Sequence, residues 1–401
     1  MPTRPSRDTT PRVLGVLIAR NEWPLLGICI THALTNHVDE IIVVDHASTD
    51  DTQAGLAELQ MRWGNKIQVL HLCEGTFHHE ETNLILKTMY EDRLFDWVYP
   101  IDADEFLITP NNVPLKQLLA EVPDSYEAVR YEIHNFVAPA DFVEKDFHRY
   151  SELREKAVVN PNFQITHGDF VESIVQGGLN FFEVPFDSKV MFRLPQQFWT
   201  VGGSHSLLGV GPESEFKFPE ENTFVAHLPF LTRERLVRRA ERGKTLVNTG
   251  YSRDHGWQSQ VVNQMHEQGR LDEYWINNSI SVNESDSKHT SPSTMSDIRL
   301  APILEDAIAG LVPLLSGIML NSTNIKPKCE PELAISQGIQ GIRAMALHRQ
   351  QGIDSARLQI TELNGVIHKL DIEREELLNS SSWRLTRGLR LAHRLIKSAK
   401  K

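Results

Sequence analysis

Asp102-Ala103-Asp104-Glu105-Phe106 follows directly on the apolar run Trp97-Val98-Tyr99-Pro100-Ile101. Two carboxylates two residues apart at a strand end can approach one hard cation together, and Mg²⁺ or Mn²⁺ prefers such oxygen ligands. A cation held there can bridge phosphate oxygens and offset the charge on a departing nucleoside diphosphate. Taken alone, an acidic pair after a strand is more often a helix cap or a solvated loop. Two further segments carry similar chemistry. In Val43-Val44-Asp45-His46-Ala47-Ser48-Thr49-Asp50-Asp51-Thr52, Asp45 ends an apolar run and can accept hydrogen bonds from a base or ribose. Ser48 to Asp51 also suit the start of a helix, with Ser48 or Thr49 as its cap. In Ala19-Arg20-Asn21-Glu22, Arg20 can meet phosphate, and Asn21 or Glu22 can meet a base or ribose.

All three segments need strands to position them. Val13–Ala19, Ile41–Val44, Ile67–Leu72 and Trp97–Ile101 are short apolar runs without helical spacing, the mark of buried parallel strands. Helices are expected between them over Pro24–Thr35, Asp50–Arg62 and His79–Leu94. Strand-helix alternation predicts an α/β fold with a doubly wound, mainly parallel sheet. Ligands gather at the carboxyl ends of such strands, where all three segments fall. Beyond them, Ala128–Ile133 and Lys189–Phe192 read as strands. Gly177-Gly178 and Gly202-Gly203 read as turns, and Thr232–Thr245 as a strongly basic helix.

The rest of the chain divides by composition. Residues 1–11 are Pro, Thr, Arg and Ser rich and are expected to be a disordered tail, ahead of a main domain over 12–276. Residues 277–297 are polar and Ser/Asn rich and read as a linker. A helical region over 298–350 follows, then a coiled coil and basic tail over 351–401. Ile353, Ile360 and Ile367 sit seven apart, with Ala356, Leu363, Leu370 and Leu377 in the alternate seam and only Arg374 out of pattern. This is a coiled-coil pattern through which the chain could form a homodimer.

Net charge is −12, which argues against a general nucleic-acid binder. From Trp383 to Lys401 there are seven Lys or Arg and no acid, so an anionic membrane surface is a candidate partner for this tail. Cys29, Cys73 and Cys329 form neither a zinc pattern nor a disulfide framework. With no apolar leader at the start and no stretch long enough to span a bilayer, the expected location is cytoplasmic, peripheral at the inner membrane face.

The segments RNE at 20–22, VVDHASTDDT at 43–52 and DADEF at 102–106, in this order and spacing, resemble glycosyltransferase family 2, with its GT-A fold. The resemblance covers roughly residues 12–245. The departure is His46-Ala47, where members more often carry Asn-Gly or Asp-Gly. It implies a metal-dependent enzyme, inverting at the anomeric carbon, that moves a sugar from a nucleotide-diphosphate donor to an acceptor hydroxyl. By the same resemblance Asp45 contacts the nucleotide, Asp102 the donor ribose or metal, and Asp104 the metal. Glu105 could support them from behind. A later His completes the metal shell, with His205 and His227 as the two candidates. Some of Arg233, Arg235, Arg238, Arg239, Arg242 and Lys244 could clamp diphosphate. An inverting reaction needs a base for the acceptor hydroxyl. Asp169 and Glu172 are candidates, and Asp187 competes. The Ser-Trp-Arg-Leu-Thr segment at 382–386 resembles a tail of bacterial surface-polysaccharide transferases, which implies surface glycan synthesis and a glycan or lipid-linked acceptor.

Two other readings compete. A nucleotidyltransferase also pairs a doubly wound sheet with acidic metal ligands, but the loop Arg20-Asn21-Glu22-Trp23-Pro24 lacks the glycines expected around a triphosphate. An inactive scaffold, acting through the coiled coil and tail, is disfavoured by the intact Asp102 and Asp104. No Gly-rich fingerprint follows the first strand, against a dehydrogenase or methyltransferase.

Overall fold

The computed structural model describes residues 10–72, 95–159, 163, 167–193, 199–201, 205–208, 210–248, 256–281 and 291–321, excepting the side chains at 72, 167–169, 199–201, 206, 208 and 313–321. The expected helix over 79–94, the Gly202-Gly203 turn, the coiled coil, the basic tail and hence the homodimer and membrane contacts lie outside the described residues.

The first four strands form as their apolar runs require. β1 (Val13–Ala19), β2 (Glu40–His46), β3 (Ile67–Leu72) and β4 (Trp97–Ile101) pair in parallel, in the order β4-β1-β2-β3. The helices α1 (Leu25–Asn36) and α2 (Thr52–Trp63) follow β1 and β2. α1 is buried from Leu25 to Leu34, and its side chains join those of α2 and one sheet face in the largest core. Leu14, Val16, Ile42 and Val98 point to the opposite face and form a smaller core there. Because both faces are covered, the strands read as continuous apolar runs rather than alternating ones.

After β4 the sheet stops being parallel. A parallel neighbour needs a crossover of a dozen residues or more. Here only Asp102 to Asp104 separate β4 from β5 (Glu105–Ile108). The chain then forms a short helix, α3 (Leu115–Ala120), and the long strand β6 (Ala128–Val137). β7 (Glu155–Ala157) and β8 (Lys189–Arg193) both run antiparallel to β6, and β8 closes antiparallel on β4. Between them lies α4 (His167–Gln176). β9 (Trp199–Val201) and β10 (Ser206–Leu208) form a separate pair. β11 (Glu215–Lys217) and β12 (Phe224–His227) run parallel to β6, and β12 also pairs antiparallel with β5. The sheet is therefore mixed, not mainly parallel, while the α/β class holds.

A second core lies beneath α4 and three further helices, α5 (Arg233–Asn248), α6 (Trp257–Glu267) and α7 (Leu271–Asn277). Gly243 lets α5 and α6 touch, since a Cβ there would fall 1.9 Å from the Ser259 carbonyl oxygen. The segment expected as a linker is anchored at both ends. Ile280 bridges Pro139, and β13 (Thr294–Ser296) pairs with β7. The helix α8 (Leu300–Asn321) then packs on α1, with Leu311 seated beside Gly27.

Two buried histidines join α1 to β5. The Nε2 of His32 lies 3.1 Å from the Leu107 carbonyl and 3.1 Å from His37 Nε2. Burial lowers His32 from 6.5 to about 4, against the pull of the Leu107 carbonyl, and burial with the neighbouring His32 holds His37 well below its ordinary value. A histidine whose folded pKa is depressed stabilises the fold fully above its unfolded pKa, and that contribution is lost as pH falls toward the folded value. Stability should therefore fall by about 3 kcal/mol between pH 6.5 and 4 from His32 alone, at 1.36 kcal/mol per unit. Urea midpoints across that range test this, and His37→Leu should flatten the dependence. A midpoint unchanged between pH 7 and 5 would remove the pair from the account.

Candidate active site

The turn Asp102-Ala103-Asp104 is held from several sides. The Glu105 amide donates to the Asp102 carbonyl at 3.1 Å, and the Leu228 amide to the Asp104 carbonyl at 2.9 Å. From α1, the Cys29 thiol reaches the carbonyls of Asp102 and Glu105 at 3.5 and 3.4 Å. The motif residues thus start from a fixed backbone.

β12 lies between β5 and β6, with His227 opposite Glu105 on one side and Asn135 on the other. This register brings His227 Nε2 to 3.5 Å from Asp104 Oδ2. The ring's Nδ1 is 2.7 Å from Asn135 Oδ1, which can only accept. Nδ1 therefore carries a proton, and Nε2 is the ring nitrogen turned toward Asp104. Arg239 stands 3.6 Å from the same carboxylate oxygen. Burial works to raise the Asp104 pKa. His227, Arg239 and Lys189 outweigh it and hold this carboxyl well below its usual range.

Asp102 is half exposed and accepts from Lys189 Nζ at 2.5 Å. The same ammonium lies 2.6 Å from Glu105 Oε1, and both Lys189 and Glu105 are buried. Burial works against the lysine's charge, yet Asp102 and Glu105 push its pKa above the ordinary value. Burial pushes Glu105 up, Lys189 opposing and Asp102 reinforcing. The other Glu105 oxygen is buried and, among the described residues, has no hydrogen-bond partner.

The remaining nucleotide residues have other partners. Asn21, at φ 58°, donates its amide to Ser48 Oγ and accepts the Thr49 and Asp50 amides on Oδ1. It ties the loop after β1 to the loop after β2. Ser48 is thereby a tether and not the helix cap that its position suggested; the Asp51 side chain makes no cap bond either. Ala47 takes φ 55°, in the left-handed region. A residue with a Cβ is disfavoured there by about 1–2 kcal/mol. Glu22 is paired with Arg235 of α5, which also binds Glu144. Arg20 is exposed beyond β1. Asp45 is wholly buried: Oδ1 accepts the Ser48 amide at 3.1 Å, and Oδ2 accepts from Gln53 at 2.8 Å and from His71 Nδ1 at 3.0 Å. Burial works to raise its pKa, but these donors lower it. Its oxygens therefore face protein, not solvent.

His205 stands apart from His227. Its Nδ1 donates to the Ser188 carbonyl at 3.2 Å, and no bond joins it to Asp104. Asp187 is exposed two residues before Lys189 and lies within electrostatic range of His205. Glu172 is exposed on α4 and accepts from Gln176 at 2.8 Å. Asp169 belongs to the same helix, its side chain outside the described residues. Sequence reading missed Lys189, Asn135 and His71 as site residues. Only Lys189 left a signal, a lone cation opening the buried strand Lys-Val-Met-Phe.

Asp104 and His227 fit a divalent cation by chemistry. One is a charged oxygen ligand and the other an imidazole whose Nε2 faces it at 3.5 Å, close enough to share one ion. Among the described residues no cluster of three His, Cys, Asp or Glu stands ready as a complete cage. Mg²⁺ is commonly held by one or two protein groups with substrate phosphates and water supplying the rest. Also among the described residues, no helix is long and apolar enough to cross a membrane.

Residues 16–131 match the family described as Glycosyl transferase family 2. Among solved structures, the chain is similar to residues 1–349 of S. aureus TarS, at 12% identity over 67% of this chain and 78% of that chain, with a TM-score of 0.29. It is also similar to M. tuberculosis glucosyl-3-phosphoglycerate synthase, at 17% identity over 52% of this chain and 69% of that chain, TM-score 0.28. A third likeness is 4-diphosphocytidyl-2C-methyl-D-erythritol synthase from Anaerococcus prevotii, at 12% identity over 46% and 72% of the two chains, TM-score 0.24. Overlays this weak add nothing to the family match. No curated protein matches the chain.

Proposed function

Over residues 16–131 the chain belongs to glycosyl transferase family 2, and from that premise we propose a metal-dependent, inverting glycosyltransferase that takes its sugar from a nucleotide-diphosphate donor. The observation that carries the reading is the pairing of Asp104 with His227 at the carboxyl end of β4, beside Arg239. Asp104 and His227 would hold Mn²⁺ or Mg²⁺, which when bound offsets charge on the departing nucleoside diphosphate.

The protein's own groups account for the rest. Arg235, Arg239 and Arg242 recur at i, i+4 and i+7 along one face of α5. Arg235 is committed to Glu22 and Glu144, so Arg239 is the guanidinium best placed to move from Asp104 onto phosphate oxygens. Lys189 holds Asp102 and leaves it half exposed to meet the donor ribose. Of the three carboxylates considered as acceptor base, Asp187 has the best support, being exposed and next to Ser188 and Lys189 at the same mouth. It would take the hydroxyl proton as the acceptor oxygen attacks the anomeric carbon in line with the leaving diphosphate. A glycan or lipid-linked acceptor in bacterial surface glycan synthesis, reached from the cytoplasmic membrane face, completes the proposal and rests on the sequence of the tail.

Calorimetric titration of UDP and GDP, with and without Mn²⁺, tests the donor site. One of them should bind only with metal, and Asp104→Ala should abolish that binding. Tight binding of either nucleotide without metal, unchanged in the variant, would overturn the metal-dependent reading.

A further inference from the structure

Asp45 lies at the carboxyl end of β2, yet its side chain is 0% exposed and both its oxygens are occupied by Ser48, Gln53 and His71. The residue beside it on β3 is not closed off. In the parallel register Asp45 pairs with His71, so the two side chains share one face of the sheet at its carboxyl end. The His71 side chain is 36% exposed. Asp45 is an anion and can only accept, so His71 Nδ1 must carry the proton that lies between them. In the neutral ring Nε2 is then a lone pair, and among the described residues no group bonds to it. The dyad converts a buried carboxylate into a hydrogen-bond acceptor of fixed tautomer at the surface.

We propose that His71, oriented by Asp45, is the residue that reads the donor base, accepting a ring N–H on its Nε2. The proposal rests on the donor-site reading above. Position favours it. β3 lies three strand spacings from β4, about 14 Å at ~4.8 Å each, along the carboxyl edge of the sheet from the Asp102–Asp104 turn. A nucleoside diphosphate extends in that manner, phosphates at one end and base edge at the other. The Asn21–Ser48 tether keeps the intervening loops after β1 and β2 together.

An acceptor of this kind sorts bases by one atom of the Watson–Crick edge. Uracil and thymine present N3–H, and guanine presents N1–H. Cytosine N3 and adenine N1 are themselves acceptors, so lone pair would face lone pair. Asp45 is a positioning residue in this account, and His71 determines specificity.

The test is competition calorimetry with Mn²⁺ and four nucleotides, UDP, CDP, GDP and ADP, plus inorganic pyrophosphate as a probe lacking any base. UDP should bind about tenfold or more tighter than CDP, or GDP than ADP, whichever ring size the pocket accepts. His71→Leu should bring that ratio near one while Mn²⁺-dependent pyrophosphate binding persists. His71→Gln, which offers a carbonyl acceptor, should restore part of the preference. Asp45→Asn should reduce the ratio without removing pyrophosphate binding. If the wild type binds nucleotides with metal but shows no preference, or if His71→Leu keeps the full ratio, the assignment of His71 is overturned and the donor site stands. If neither nucleotides nor pyrophosphate bind, both fall together.

Discussion

His227→Ala should weaken Mn²⁺-dependent nucleotide binding by at least about 100-fold, whereas His205→Ala should leave it within about twofold. The two histidines were equivalent candidates by sequence, and the expectation separates them on geometry. His227 Nε2 is 3.5 Å from Asp104, while His205 is turned to the Ser188 carbonyl. The finer test is Asn135. Its Oδ1 takes the Nδ1 proton and so leaves Nε2 as the nitrogen an ion would bind, and partners of this kind commonly change metal affinity 10–100-fold. Asn135→Leu should therefore lower Mn²⁺ affinity by about that factor, with Asn135→Asp, which keeps the acceptor, close to wild type. Mn²⁺ titration by electron paramagnetic resonance reads the ion directly, before any donor is added. Loss of metal binding in His205→Ala, with His227→Ala unaffected, would move the site to His205.

How much of this was open to sequence reading depends on the distance over which each feature is decided. The runs Val13–Ala19 and Trp97–Ile101 declare themselves because a parallel strand covered on both faces must be apolar throughout. Asp102 and Asp104 follow from sitting one step beyond such a run. The mixed sheet did not follow, because the direction of β8 and β12 is set by pairing with β4, β5 and β6 far away in the chain. The roles of Asp45 and Glu22 illustrate the same limit. Each is a carboxylate just past a strand, the right type in the right place for a ligand. Whether it faces a ligand depends on a partner elsewhere, His71 for one and Arg235, 213 positions on, for the other. Residues 277–297 show the converse, since their polar composition hides a strand whose pairing with β7 is local to the fold and not to the sequence.

Lys189→Met should cost about 3–5 kcal/mol of folding stability, because it removes the ammonium that lies 2.6 Å from the buried Glu105 carboxylate and 2.5 Å from Asp102. A paired change tells charge from shape. Glu105→Gln removes the buried charge, and Glu105 already carries one oxygen without a partner among the described residues. The double variant Lys189→Met/Glu105→Gln should therefore recover most of the lost stability in urea unfolding, a coupling that a purely steric role would not produce. Function should not recover with it. In the double variant Asp102 still lacks the ammonium 2.5 Å from its Oδ2, so the carboxylate loses its fixed direction while the fold is intact. Mn²⁺ binding at Asp104 and His227 should persist, and sugar transfer should remain at least about 10-fold down through misplacement of the donor. Lys189→Arg offers a cation of different shape in a buried slot 3% exposed, and should restore neither the packing nor the geometry. Full recovery of both stability and transfer in the double variant would instead make Lys189 a structural counter-ion to Glu105, with no part in aiming Asp102.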